Sequence, residues 1–95
     1  MGSAKPLNPG VATTLGLKLG EAIEERRKEK KMEADVLAGL AGVDPKAVDH
    51  WEKGRRIISN ESLPRVAHAL QTSPSKLYAR AERLWLLSLR KPGLG

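Results

Sequence analysis

The sequence predicts an all-α domain of five helices. Apolar residues recur at three- and four-residue spacing in successive segments, which is the periodicity of a helix with one buried face. Two capping signals, Asp44-Pro45 and Ser73-Pro74, mark helix starts, because a capping side chain precedes a proline at the first helical position. No stretch alternates between apolar and polar residues over the length of a strand. Together these observations indicate a helical fold.

Length and composition limit the classes of protein to consider. The 95 residues suffice for one compact core. Cysteine is absent, which excludes disulfides, thiolate metal sites and cysteine nucleophiles, and the two histidines, His50 and His68, are too few for a metal site by themselves. A formal net charge of +6 favours a polyanionic partner, nucleic acid before an anionic membrane. We therefore expect a single domain that binds no cofactor or metal.

The first sixteen residues differ in composition from the rest of the chain. Residues 1–16 are rich in Gly, Pro, Ser and Thr and lack sustained periodicity, so we predict a flexible N-terminal arm followed by a folded domain over 17–91. Helix one is predicted from about Leu17 to Lys31, because its acidic first half and basic second half match the helix dipole. Its apolar residues at helical spacing are Leu19, Ala22 and Ile23.

Two short helices separated by a tight turn come next. The second helix is predicted over about 33–40, and it stops before Gly42, because glycine readily takes the left-handed conformation after a helix end. Its predicted inward side chains are Val36, Leu37 and Leu40. Asp44 caps the third helix, which is predicted over about 45–53 and ends at Gly54.

Two further helices complete the predicted domain. The fourth starts near Glu61, and the residues spaced for burial are Leu63, Val66, Ala67 and Leu70. The fifth starts at the Ser73-Pro74 signal and covers about 74–90, ending before Lys91-Pro92-Gly93.

The segment from Met32 to Gly54 resembles the helix-turn-helix of the Cro/repressor-type family. The matching residues are Leu37, Ala38, Gly42, Val43, Val48, Trp51, Glu52, Lys53 and Gly54. The resemblance extends from about Leu19 to Tyr78. It implies a lambda-repressor-like DNA-binding domain of five helices, with the motif at about 33–54 and an extended C-terminal helix. The alternative is a compact helical bundle with an unrelated role.

The resemblance also implies two structural roles. In the family, an arginine late in helix one pairs with a glutamate near the end of helix three, and the matching positions here are Arg27 and Glu52. Loss of either partner is expected to destabilise the fold by leaving the other charge unpaired. Trp51 is expected in the core rather than on a base-stacking surface.

The resemblance further implies that the exposed N-terminal part of helix three enters the major groove. The matching positions are Pro45, Lys46, Asp49 and His50. Lys46 can donate to guanine O6 and N7, Asp49 can accept from cytosine N4, and His50 can donate or accept at a base edge. Pro45 offers no side-chain hydrogen bond, and Ala34 stands where the family often carries a phosphate-contacting glutamine. The predicted set of base-reading side chains is therefore small.

Cations for phosphate contacts are better supplied. Lys53, Arg55 and Arg56 directly follow helix three, where a loop can lie along the DNA backbone and raise affinity without selecting a sequence. Lys31, at the end of helix one, is a further candidate. The alternative is that these residues form only a solvated turn.

The last helix is longer than the family's core requires. Its apolar surplus favours a partner surface, most simply the same helix of a second subunit. The predicted homodimer interface consists of Leu84, Trp85, Leu86 and Leu89. The alternative is that these side chains only cover the core of a monomer.

These features predict a sequence-specific transcription regulator, a dimeric repressor that binds a pseudo-palindromic operator in double-stranded DNA. The alternative is a protein-binding module of the same fold that sequesters another regulator, as an antiactivator or antitoxin does. Catalysis is not expected, because no paired carboxylates, nucleophile with a base, or phosphate-binding glycine loop stands out. Since no apolar run approaches membrane-spanning length, we expect a cytoplasmic, nucleoid-associated protein with no membrane partner.

Overall fold

The computed structural model describes residues 9–90 and contains, within that range, five helices and no strand. In chain order the helices are α1 (Pro9–Glu29), α2 (Ala34–Ala41), α3 (Pro45–Glu52), α4 (Ser62–Ala69) and α5 (Pro74–Ser88). The predicted all-α fold of five helices is therefore confirmed. Helices α2 to α4 lie close to their predicted bounds, and α5 ends slightly earlier than predicted.

The start of α1 differs from the prediction of a flexible arm. The helix begins at Pro9, so the part of that segment from there to Gly16 is helical, while residues 1–8 lie outside the described residues. The physical reason is packing. Leu15 lies against the hydrophobic core, and a Cβ added at Gly16 would lie 2.8 Å from a side-chain carbon of Ile57. Glycine lowers helix propensity, but at this position its missing side chain makes room for a neighbour.

A second glycine sets the distance between α1 and α3. Gly20 is buried, and a Cβ added to it would lie 1.8 Å from the carbonyl oxygen of Trp51. Because that oxygen belongs to the backbone, no change of rotamer could relieve the overlap. The backbones of α1 and α3 therefore approach each other directly at this crossing.

All five helices contribute to one hydrophobic core. Helix α1 packs along α5 and also contacts α3, while α2 packs against both α3 and α4. The largest fully buried side chains are Leu19, Ile23, Leu37, Val48, Val66, Leu70 and Leu77. Every residue predicted to face inward from helices one and four is buried.

The predicted inward face of α2 is wrong at two of its three positions. Leu37 is fully buried, but Val36 and Leu40 are 50% and 63% exposed. The residues of α2 that face the core are Leu37 and the small Ala38 and Ala41. The two alanines let α2 pack closely on α3 and α4. The larger side chains of Val36 and Leu40, which lie one turn apart, face solvent instead.

Polar contacts fasten α1 to α4 and α5. One guanidinium nitrogen of Arg80 lies 2.7 Å from the carboxylate of Glu25 and 2.6 Å from that of Glu29. The hydrogen bond from Arg80 holds the pKa of Glu29 below its ordinary value. Arg26 donates from Nε to the carbonyl oxygen of Leu70, 3.0 Å away at the end of α4. Helix α1 is thus attached to α5 by ion pairs as well as by packing, and to the end of α4 by a hydrogen bond from a charged side chain.

Candidate nucleic-acid interface

The connection between α2 and α3 is a tight turn closed by backbone hydrogen bonds. Gly42 has φ 71°, the left-handed conformation, and the N–H of Val43 donates to the carbonyl oxygen of Ala38 at 3.0 Å. Such a turn closes the end of α2 without a side chain. Asp44 then caps α3 by accepting a hydrogen bond from the N–H of Lys46 at 2.8 Å. The hydrogen bonds of the turn and of the Asp44 cap consequently hold the two short helices at a fixed angle.

The inner face of α3 is fixed in the protein. Val48 is fully buried and Trp51 is 6% exposed, which confirms that the tryptophan belongs to the core. Arg27 donates from Nε and from Nη2 to the two carboxylate oxygens of Glu52, each at 2.8 Å, and from Nη1 to the carbonyl oxygen of Met32. The predicted pair is therefore confirmed as a two-point contact, with side chains 13% and 7% exposed. The hydrogen bond with Glu52 raises the pKa of Arg27.

The outer face of α3 carries the predicted base-reading residues. Pro45 and Lys46 are exposed at its N-terminal end, and Asp49 and His50, one turn later, are partly exposed. The helix thus has one buried side and one polar side that meets solvent. The base contacts of these four residues remain predictions, but all four lie where a ligand could reach them.

One charged side chain on this face, that of Asp49, is already paired within the protein. The carboxylate of Asp49 lies 3.0 Å from the ammonium nitrogen of Lys53, the residue that follows α3. The hydrogen bond from Lys53 lowers the pKa of Asp49, and electrostatic interactions with Lys53, Arg55 and His50 act in the same direction. A predicted base reader and a predicted phosphate contact are therefore partners in the unbound protein.

The loop after α3 is held by backbone hydrogen bonds. The carbonyl oxygen of His50 accepts hydrogen bonds from the N–H groups of Arg55 at 2.8 Å and Arg56 at 3.2 Å. Gly54 has φ 72°, which the bend requires and which other residues rarely adopt. Ile58 is buried and anchors the far end of the loop. The exposed side chains of Arg55 and Arg56 are thus presented beside the C-terminal end of α3.

Two other cations lie on elements next to the motif. Lys31, a predicted phosphate contact, is exposed between α1 and α2 and has φ 54°, an uncommon conformation for a residue with a side chain. Arg65 of α4 was not predicted: its Nη1 lies 3.8 Å from the position that a Cβ would take at Gly42. The sequence shows the charge of Arg65 but not that α4 approaches the turn. Arg65 is therefore a further candidate for contact with a polyanion.

Several leucines are exposed in the last turn of α5 and at Leu89, the residue that caps its end. Leu86, Leu87 and Leu89 are 49%, 54% and 64% exposed. Leu84 and Trp85 are partly buried, and Leu84 packs against the hydrophobic core. Of the predicted dimer interface, Leu86 and Leu89 thus remain available in the single chain, whereas Leu84 also serves the core.

Neither a metal site nor a membrane span is found in the described part of the chain. Within residues 9–90, no group of three or more His, Asp and Glu side chains is arranged to hold a metal ion. In the same range, no helix combines the length and the hydropathy needed to cross a membrane.

A family model described as helix-turn-helix matches residues 23–77, a range that includes α2, the turn, α3 and α4. No curated protein matches the chain.

Several solved structures are similar to it. The clp gene regulator ClgR from Corynebacterium glutamicum is 28% identical with a TM-score of 0.79, over 96% of this chain and 89% of that chain. The restriction-modification controller protein C.AhdI from Aeromonas hydrophila is 32% identical with a TM-score of 0.62, over 65% of this chain and 94% of that chain. The DNA-binding domain of the P22 c2 repressor is 36% identical with a TM-score of 0.60, over 62% of this chain and 78% of that chain.

Proposed function

The chain belongs to the helix-turn-helix family of DNA-binding transcription regulators, and we propose that it acts as a dimeric repressor that reads a pseudo-palindromic operator through α3. The observation that supports this proposal is the two-sided character of α3. Val48, Trp51 and Glu52 hold its inner face in the protein, so its polar outer face is presented at a fixed angle. A helix supported in this way can enter a major groove while α2 crosses the backbone.

Base reading falls to few side chains. Lys46 is exposed at the first turn of α3 and can donate to guanine O6 and N7. His50 can donate to or accept from a base edge, whereas Pro45 offers only apolar contact. Because the readers are so few, we propose that a large share of the affinity comes from phosphate contacts. Such a protein would spend much of its time on non-specific chromosomal DNA, in association with the nucleoid.

The phosphate contacts are testable by salt dependence. Replacing Arg55 and Arg56 together by Gln is expected to make the slope of log K against log salt concentration less negative by about 1.8 per subunit, since each lost phosphate contact removes about 0.9. Fluorescence anisotropy with a labelled duplex over a salt series measures this slope. The matched control replaces Lys76 and Arg90 of the α5 region by Gln. An equal change in both double variants would show that only net charge matters and would remove the loop from the interface.

The dimer is the second part of the proposal. Leu86, Leu87 and Leu89 form an exposed apolar end of α5, and large apolar side chains concentrated at one place favour burial against a partner. A two-fold dimer through this region presents the same surface from each subunit and places two copies of α3 on one face of the DNA. A palindromic operator follows from that symmetry.

Replacing Leu86 and Leu89 by Gln is expected to convert a dimer into a folded monomer, because both side chains are exposed in the single chain and removing them leaves its core intact. Sedimentation equilibrium measures the mass, and binding to a two-half-site duplex should weaken while thermal unfolding of the monomer stays cooperative. The control replaces the equally exposed Val36 and Leu40 of α2 by Gln. A dimer that persists in the α5 variant would exclude this interface.

The experiment that tests the whole function is selection of bound duplexes from a random pool. We expect one enriched palindrome, with half-site centres about one helical turn apart. Enrichment of a single half-site would leave DNA reading in place and remove the dimer. Absence of binding to any duplex at low salt would remove the proposed function.

A protein-binding role is the second candidate. The observation that favours it is the neutralisation of Lys53 by Asp49 on the face that would meet DNA, together with the exposed Val36 and Leu40 of α2. A partner recovered in stoichiometric amount, with binding that survives Lys46→Ala and Arg55→Ala, would support this role over operator binding.

A further inference from the structure

The pair formed by Asp49 and Lys53 lies where both residues would face DNA. Their carboxylate oxygen and ammonium nitrogen are 3.0 Å apart, and the side chains are 46% and 59% exposed. The acidic residue precedes the basic one by four positions, which is the favourable order on a helix. An aspartate is ionised at neutral pH, and the hydrogen bond from Lys53 lowers the pKa of Asp49 further. The pair therefore contributes no net charge to the outer face of α3.

In a complex with DNA the two groups favour different partners. The carboxylate of Asp49 is repelled by phosphates, and the donor available to it in the major groove is an exocyclic amine such as N4 of cytosine. The ammonium of Lys53 is attracted to phosphates on any sequence. Neither contact forms at full strength while the two groups hold each other. Separating them is most favourable where both find new partners, because an ionised carboxylate left beside phosphates is destabilising.

We propose that the Asp49–Lys53 pair determines specificity by coupling one base contact to one phosphate contact. Where a cytosine donates to Asp49, Lys53 is released to a phosphate. On other sequences the carboxylate retains Lys53, and the protein has one phosphate contact fewer per subunit. This inference rests on the DNA-binding function proposed above. It assigns to Asp49 the role of weakening binding to non-target sequences, so that specificity comes from disfavouring the wrong DNA.

The test compares Asp49→Asn, Lys53→Gln and the double variant on a duplex of scrambled sequence over a salt series. We expect Asp49→Asn to raise affinity and to steepen the slope of log K against log salt by about 0.9 per subunit, one added phosphate contact. Lys53→Gln should leave the wild-type slope nearly unchanged and should remove the gain in the Asp49→Asn background. The control is Glu24→Gln, which breaks a carboxylate–lysine pair of the same spacing on α1, Glu24 with Lys28 at 3.3 Å. It should not change the slope.

Selection from a random pool gives a second readout. The wild type should enrich a C·G pair at one position of each half-site, and Asp49→Asn should lose that preference while keeping the others. Additive effects of the two substitutions on the scrambled duplex, or an unchanged half-site for Asp49→Asn, would overturn the inference while leaving DNA binding intact. Failure of the wild type to bind either the scrambled or any selected duplex would instead remove the proposed function, and the inference with it.

Discussion

Gly20→Ala is expected to lower the free energy of unfolding by about 3 kcal/mol, at the upper end of the usual cost of overpacking. The added methyl group would lie 1.8 Å from the carbonyl oxygen of Trp51. Since this oxygen is part of the backbone, α1 and α3 would have to move apart, and the packing of the core, which includes the fully buried Ile23 and Val48, would loosen. Urea denaturation measures the change as a lower midpoint with an unchanged slope.

Gly39→Ala is the control for this substitution. Gly39 also lies within a helix, but a Cβ added there would meet nothing within 4 Å. Alanine should stabilise α2 at this position by about 0.5–1 kcal/mol, because glycine loses more backbone entropy on folding. Equal stabilities of the two alanine variants would contradict the close approach of α1 and α3.

Arg27→Met is expected to cost about 3 kcal/mol of folding free energy, because it leaves a nearly buried carboxylate without its partner. The side chain of Glu52 is 7% exposed and receives two hydrogen bonds from Arg27. Arg27→Lys should recover only part of the loss, since a single ammonium cannot reproduce the forked contact of a guanidinium. Chemical denaturation of the three proteins at neutral pH gives the comparison.

Two further variants separate this effect from a general loss of charge. Replacing Arg27 by Met and Glu52 by Leu together should restore most of the stability, because no unpaired charge then remains inside. Arg83→Met removes an exposed arginine, 59% accessible and paired with Glu25 on the surface, and should change stability by less than about 0.5 kcal/mol. If Arg27→Met were as mild as Arg83→Met, the pair with Glu52 would not support the fold.

Elements governed by local chemistry were predictable from the sequence. The left-handed glycine at position 42 and the caps at Asp44 and Ser73 place the end of α2 and the starts of α3 and α5 close to where the structure has them. Features that depend on distant neighbours were not. Gly16 lowers helix propensity, yet it is helical, and Ile57, far along the chain, occupies the space that a side chain at this position would fill.

The features of the candidate site also fall into those that the sequence predicts and those that depend on packing. The resemblance to the repressor family located Trp51 and the Arg27–Glu52 pair, because those positions are set by the order of the motif. The pairing of Asp49 with Lys53 agrees with a four-residue spacing on a helix, but a spacing does not tell which partner a charge selects. The position of Arg65 beside Gly42 depends on how α4 packs, which no local pattern contains.

Helix α1 touches the two helices that carry the proposed DNA and dimer surfaces: it meets α3 through Gly20 and Arg27, and α5 through Arg80. In a dimer joined through α5, the separation of the two reading helices is then set by packed helices and not by a linker. Each base pair inserted between half-sites displaces one of them by about 3.4 Å and rotates it by about 34°. Helices packed against one another cannot shift and rotate by these amounts to keep both reading helices on their half-sites. In the proposed dimer, the spacing of the operator would therefore depend on α1, which packs against both α3 and α5, and not only on the residues proposed to read bases.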